Sequence, residues 1–152
     1  MPPPAAGHSP QRIILLRRPP QLSVIDGRFV PSGVTLDAVD AAWQALRARV
    51  PRAYDGPLLH VLGTSRNGHG GVVVHLVQSS YRFHAVAAEG LQTGIRPLGV
   101  KGICRARDGR LLMARRSQAT LHSAGMWEFS PAGTVEPGVA PAQMLLRELR
   151  EE

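Results

Sequence analysis

The 152-residue sequence predicts a mixed α/β (α+β) fold. Three patterns carry that expectation. Apolar residues recur at helical spacing over 36–50, two apolar runs at 58–63 and 72–78 flank a Gly-rich turn, and a breaker-free helical stretch runs from Ala142 to Glu152. The length allows about one domain of ordinary size, or one and a fraction.

Taken in order, "MPPPAAGHSP" reads as a disordered leader over 1–10, because it has neither a basic start nor an apolar stretch behind it. "RIILL" at 12–16 is a short apolar run bounded by Arg and Pro, and is expected to be a strand. In "LSVIDGRFV", Asp26-Gly27 lies between two apolar runs, a hairpin-like signal. The first helix is capped by Thr35, carries Asp37 and Asp40 near its positive end, and places Leu36, Val39, Trp43, Leu46 and Val50 on one face. Pro51 stops it.

The turn "GTSRNGHGG" between the next two strands lacks the Gly-Lys-Ser/Thr ending of a phosphate loop and leads into Val-Val-Val, so a hairpin loop is the preferred interpretation. His60, His69, His75 and His84 are scattered around this hairpin without a Cys or carboxylate cluster to complete a metal set. "EGLQTGIRPLGV" at 89–100 is punctuated by Gly and Pro and marks a join, giving an N-terminal α+β region over 11–95 and a second unit over 96–152. Within that unit, Asp108-Gly109 between "LGVKGICRA" and "LLMARR" signals a second hairpin, and "GMWEFSPAG" another short strand.

Composition narrows the function classes. Hydrophobic residues make up 43% of the chain and aromatics 5%, so the core must be aliphatic. The formal net charge is +7, and of 18 basic residues only Lys101 is lysine. A positive field favours an anionic substrate such as a nucleotide. Nucleic acid is not expected as a partner, because the Arg pairs at 17–18 and 115–116 have no interleaved aromatics. No stretch approaches the ~18 apolar residues of a membrane span. The single Cys104 excludes an intramolecular disulfide; it is expected to be a small buried hydrophobe in a strand, compatible with a cytoplasmic location. Oligomeric state is not legible.

The densest chemical signal is at the end. Glu148, Glu151 and Glu152 are half of the six glutamates in the chain. On a helix, Glu148 and Glu152 lie about 40° apart and Glu151 about 60° to the other side of Glu148, so all three share a face. Ala142, Leu145, Leu146 and Leu149 form the neighbouring apolar face, expected to anchor the helix. Like charges at that density are unfavourable unless neutralised, and a hard divalent cation does this with oxygen ligands. The competing account is a solvated acidic helix end with an Arg147–Glu151 pair.

"GTVEPGVAPAQMLLRELREE" resembles the Nudix box. Gly133 matches its first position, and Arg147, Glu148, Leu149, Glu151 and Glu152 match its REUxEE core. The preceding "GICRARDGRLLMARR" and "GMWEFSPAGTVEPG" are similar to the family's opening strand pair and lead-in. The resemblance implies an α/β/α sandwich, of which residues 96–152 would be the first half. It further implies a hydrolase cleaving a nucleotide-derived diphosphate, with Glu148, Glu151 and Glu152 holding Mg2+ or Mn2+, Arg147 orienting them, and Gly133 permitting a tight loop path. Two departures stand out: Val139 occupies the position of the first box glutamate, and the chain ends before the closing Gly-aliphatic pair. A truncated, poorly active chain is therefore expected, with a non-catalytic, nucleotide-binding Nudix-like domain as the alternative. More loosely, "AYDGPLLHVLG…SSYRFHA" is similar to the region ahead of the box in UDP-glucose (UDP-sugar) pyrophosphatases, which implies substrate contacts for Tyr81 and Arg82; a core Tyr81 and a surface Arg82 is the plainer account.

Overall fold

A computed structural model describes Ile13 and residues 15–151. The leader over 1–10 and Glu152 lie outside the described residues. The elements run β1 (Gln21–Arg28), α1 (Leu36–Arg49), β2 (Pro57–Arg66), β3 (Val72–Ser80), α2 (Tyr81–Ala88), β4 (Gly99–Lys101), β5 (Met113–Arg115), β6 (Trp127–Phe129), β7 (Ala132–Thr134) and α3 (Pro141–Glu151). This is the α+β mixture that the sequence predicts.

The main sheet has the order β1-β3-β2, with β3 central. β2 and β3 form the expected antiparallel hairpin, and its turn is pinned by Asn67, whose Oδ1 accepts from the backbone of His69 (3.0 Å) and Gly71 (2.9 Å). β1 joins the other side of β3 in parallel. Here the expected hairpin at Asp26-Gly27 does not form. β1 runs straight through it, with Ile25 opposite Val77 and Arg28 opposite Gln78, so the extra residues make a bulge. Gly27, at φ +123, supplies the backbone freedom that such an irregularity needs. Among the described residues of 12–16, Ile13, Leu15 and Leu16 lie outside any strand, and Ile13 and Leu15 are almost fully exposed.

α1 matches its prediction closely. Thr35 Oγ1 accepts from the Ala38 amide at 3.2 Å, and the helix ends at Arg49 with Pro51 two residues beyond. Val39, Trp43 and Leu46 are buried against Phe83, Ala85 and Val86 of α2. α2 was not expected, although Phe83, Val86 and Ala87 follow a three-to-four spacing after Ser80. Its N-terminal Tyr81 amide donates to the Gly56 carbonyl (2.8 Å), so it starts where β3 leaves the sheet.

The segment after α2 continues the main sheet. Val61 donates to Arg96 O and Leu98 donates to Leu59 O, both at 2.8 Å, and the Val135 amide in turn reaches Leu98 O at 2.9 Å. Leu59, Leu76 and Val135 form a second buried cluster, with Leu98 and Val100 packed on it. β4 pairs with β7 and β5 with β6, both antiparallel. The second hairpin signal is therefore only local: Arg105 bridges Leu111 around the Asp108-Gly109 turn, while the flanking runs pair with later strands. Cys104 is half-buried between strands rather than within one.

α3 begins at Pro141 as predicted, but its seat differs. Met144 is its buried residue, whereas Leu146 and Leu149 are 55% and 44% exposed and Leu145 is half-buried. The anchoring side chain is the flexible thioether that reaches Gly133, not the leucine face.

Leu46 and Leu76 are fully buried in the two clusters. Leu46→Ala and Leu76→Ala should each destabilise the protein by about 2–5 kcal/mol in urea unfolding, and Thr35→Ala by about 1 kcal/mol.

Candidate active site

The loop from β7 to α3 and the first turns of α3 form one unit. Gly133 sits in β7 opposite Val100 of β4. A Cβ at Gly133 would stand 3.0 Å from Met144 Cε and 3.2 Å from Glu148 Cδ and Oε1. The Glu148 carboxylate therefore lies directly against the Gly133 backbone, and a side chain at 133 would push it or Met144 aside by a few tenths of an ångström. The sequence places these residues fifteen positions apart; the fold brings them into contact.

Arg147 extends from the same helix to Glu136 in the loop, where Nη2 donates to Oε1 at 2.7 Å. That hydrogen bond, followed by the Glu136 charge, raises the Arg147 pKa, and the carboxylates of Glu151 and Glu148 add to the effect. Arg147 is thus paired with Glu136 and lies within electrostatic reach of Glu148 and Glu151. Val139, which stands at the first box glutamate position, is half-buried and offers no carboxylate; Glu136, three residues earlier, supplies the partner that Val139 cannot. The Arg147–Glu151 pair expected for a solvated helix end is replaced by this longer-range one.

Beside Gly133 a cavity of ≈ 530 Å³ opens between α2 and the small sheets. Tyr81 and His84 of α2 line it on one side, Lys101, Arg116 and Glu128 on another, with His122 from the loop between β5 and β6 closing the end. Glu128 Oε2 accepts from Lys101 Nζ and Oε1 from Arg116 Nη1, both at 2.6 Å. The Lys101 and Arg116 hydrogen bonds hold the Glu128 carboxyl below its usual range. Arg116 Nε also donates to the His122 carbonyl at 2.9 Å. The His84 and His122 rings stack 3.9 Å apart and 7° from parallel. Burial, and secondarily His122, pushes His84 down to about 4, while burial and Arg116 lower His122. Burial raises the Tyr81 hydroxyl.

Of the residues singled out from sequence, Tyr81 and Gly133 face this cavity, and Glu148 touches its wall through Gly133. Glu152 lies outside the described residues. Arg82 is placed elsewhere: its Nη1 donates to Asp40 Oδ1 at 2.8 Å, its amide to Asp55 Oδ1 at 2.8 Å, and its guanidinium lies over the Phe83 ring. It fastens α2 to α1. Lys101, Arg116, Glu128, Glu136, His84 and His122 were not singled out as site residues. Only Lys101, the single lysine among many arginines, carried a signal in the sequence.

Among the described residues, no three His, Cys, Asp or Glu side chains converge as a ready metal set. The donors present nevertheless suit a hard divalent cation. Glu148 and Glu151 are carboxylates on one helix face, the oxygen donors that such an ion takes, and the glycine gap at 133 keeps the Glu148 carboxylate beside the cavity.

Residues 95–152 match the NUDIX domain family. A CTP pyrophosphohydrolase of Escherichia coli (strain K12) is 52% identical over 46 residues, which cover 30% of this chain and 33% of that enzyme. The chain thus spans about a third of the length of the curated relative it matches.

Two expectations follow from the geometry. Gly133→Ala should lower any turnover by at least about tenfold while leaving the far-ultraviolet circular dichroism unchanged, because the new methyl displaces Glu148 or Met144. The stacked histidines set a pH dependence of stability. In the unfolded chain they titrate near 6.5, and in the fold below it, so the unfolded state binds protons first on acidification. Their contribution is complete above pH ~6.5 and is lost as the pH falls toward ~4. The melting temperature should drop across that interval, and the His84→Phe, His122→Phe double variant should flatten the drop.

Proposed function

We propose that the chain, whose residues 95–152 match the NUDIX domain family, is a divalent-metal-dependent pyrophosphohydrolase of nucleotides. The observation that carries this is the Glu148 carboxylate held against Gly133 at the edge of the cavity, on the helix that also bears Glu151 and Arg147. Glu148, Glu151 and Glu152 are the residues to hold Mg2+ or Mn2+. Such an ion neutralises diphosphate charge and lowers the pKa of the attacking water. Arg147, anchored on Glu136, keeps the glutamates oriented, and the cavity takes the nucleotide with Tyr81 and Gly133 in contact with it.

Water attacks one phosphorus of a diphosphate and the bridging P–O bond breaks, leaving two phosphate-bearing products. Two substrate types fit. The CTP pyrophosphohydrolase relative supports a nucleoside triphosphate, which would yield the nucleoside monophosphate and pyrophosphate. The presence of Tyr81 in the cavity supports a UDP-sugar, which would yield UMP and a sugar 1-phosphate. A non-catalytic, nucleotide-binding domain draws support from Val139. The Glu136–Arg147 contact weighs against it, since the box arginine keeps a carboxylate partner.

The test is turnover of CTP and of UDP-glucose with Mg2+, with and without EDTA. Glu148→Gln should reduce the metal-dependent rate by about a hundredfold or more, and chelation should abolish it. Nucleotide binding without turnover in the unsubstituted protein would establish the non-catalytic alternative instead.

A further inference from the structure

The wall of the cavity opposite α2 carries a charge arrangement that the box does not explain. Lys101 from β4 and Arg116, just past β5, approach one carboxylate, Glu128 of β6, from different segments at 2.6 Å each. The Glu128 side chain is 20% exposed, while Arg116 and Lys101 reach further into solvent, and the three charges sum to +1. Two cations for one anion is more positive charge than a structural ion pair needs. Glu128 occupies one donor of the Lys101 ammonium, which has three. Arg116 gives Nη1 to Glu128 and Nε to the His122 carbonyl, which fixes the plane of its guanidinium. Both side chains line the same cavity as Gly133 and Thr134, and Glu148 lies just behind Gly133.

We infer that Lys101 and Arg116 are the cations that receive the phosphate oxygens of the ligand, and that Glu128 is a positioning residue which holds them side by side. This rests on the nucleotide reading of the cavity and deepens it by naming its anion-binding wall. A guanidinium in a fixed plane and an ammonium held on the same carboxylate present charged donors suited to phosphate oxygens rather than to a neutral base or sugar. Gly133 lines the same cavity and touches the Glu148 carboxylate, which connects the cationic wall to the carboxylate helix. Glu128 has a double effect: its charge opposes the incoming anion, and its two hydrogen bonds keep the cations from relaxing into solvent.

The experiment is calorimetric titration of the intact protein with inorganic pyrophosphate in EDTA, so that protein cations alone are read, alongside CTP and UDP-glucose hydrolysis with Mg2+. Lys101→Gln and Arg116→Gln should each weaken pyrophosphate binding by about tenfold, and Lys101→Arg should retain most of it. Glu128→Gln should tighten pyrophosphate binding while lowering kcat, a pair of opposite changes that a purely structural role for Glu128 does not produce. In hydrolysis, Lys101→Gln should raise KM more than it lowers kcat. Thermal melts identify any variant that fails to fold; in that case Lys101→Arg and Glu128→Gln carry the test.

Absence of pyrophosphate binding by the unsubstituted protein, or unchanged binding in both glutamine variants, overturns the inference even if CTP or UDP-glucose is hydrolysed. Cation-dependent pyrophosphate binding without hydrolysis of either nucleotide upholds it and removes the catalytic reading.

Discussion

Val135 has no solvent exposure, and its burial against Leu59 and Leu76 places the loop that leads into α3 on the three-stranded sheet. A fully buried valine contributes on the order of 1.5–3 kcal/mol of hydrophobic stabilisation. The backbone reinforces it, since Val135 N bonds Leu98 O and Leu98 N bonds Leu59 O. Gly133 is two residues before Val135, Glu136 one after it, and the helix that bears Arg147, Glu148 and Glu151 follows within the same loop-and-helix unit. The acidic helix itself rests on β7 and β4, which this contact ties to the N-terminal sheet.

The electrostatics organise themselves around two separate centres. At one, the Arg147 guanidinium is held by Glu136 in hydrogen-bonding range, and the Glu151 and Glu148 charges add to its stabilisation. At the other, Glu128 draws two cations together. The centres have opposite character, a cation among anions and an anion among cations, and Gly133 with Thr134 lies along the cavity between them. Such a pairing suits a substrate that needs its own negative charge gripped on one side and a divalent ion held on the other. Exposed ion pairs contribute little to stability, generally about 0–1 kcal/mol. The arrangement is better explained by positioning than by folding energy.

α2 connects the two halves of the chain in a different currency. Its Phe83, Ala85 and Val86 are buried against α1, while Tyr81 and His84 reach the cavity and His84 stacks on His122. Two imidazolium rings at that distance would repel, so the contact requires neutral rings, and burial keeps them so. Arg82, between these cavity residues in sequence, points the other way and is committed to Asp40 and Asp55. Helical periodicity separates neighbours onto different faces, so adjacency in "SYRF" does not imply a shared role.

The sequence by itself determined the local features whose cause is local. α1 is legible because Thr35, the apolar spacing and Pro51 act within one helix, and α3 because Pro141 starts a run without breakers. The β2–β3 hairpin follows from two apolar runs and a Gly-rich turn, and the carboxylate helix from the spacing of the box. Tertiary structure alone decided the rest. Asp26-Gly27 became a bulge because β1 found a parallel partner in β3, a non-local choice that no turn signal encodes. The runs around Asp108-Gly109 paired with later strands for the same reason. Glu136 replaced Val139 as the partner of Arg147 because a loop folds back on a helix, which changes which carboxylate is within reach regardless of box position. Lys101 and Glu128 lie in strands and Arg116 directly after one, their positions set by pairing, so their convergence exists only once the sheets have formed.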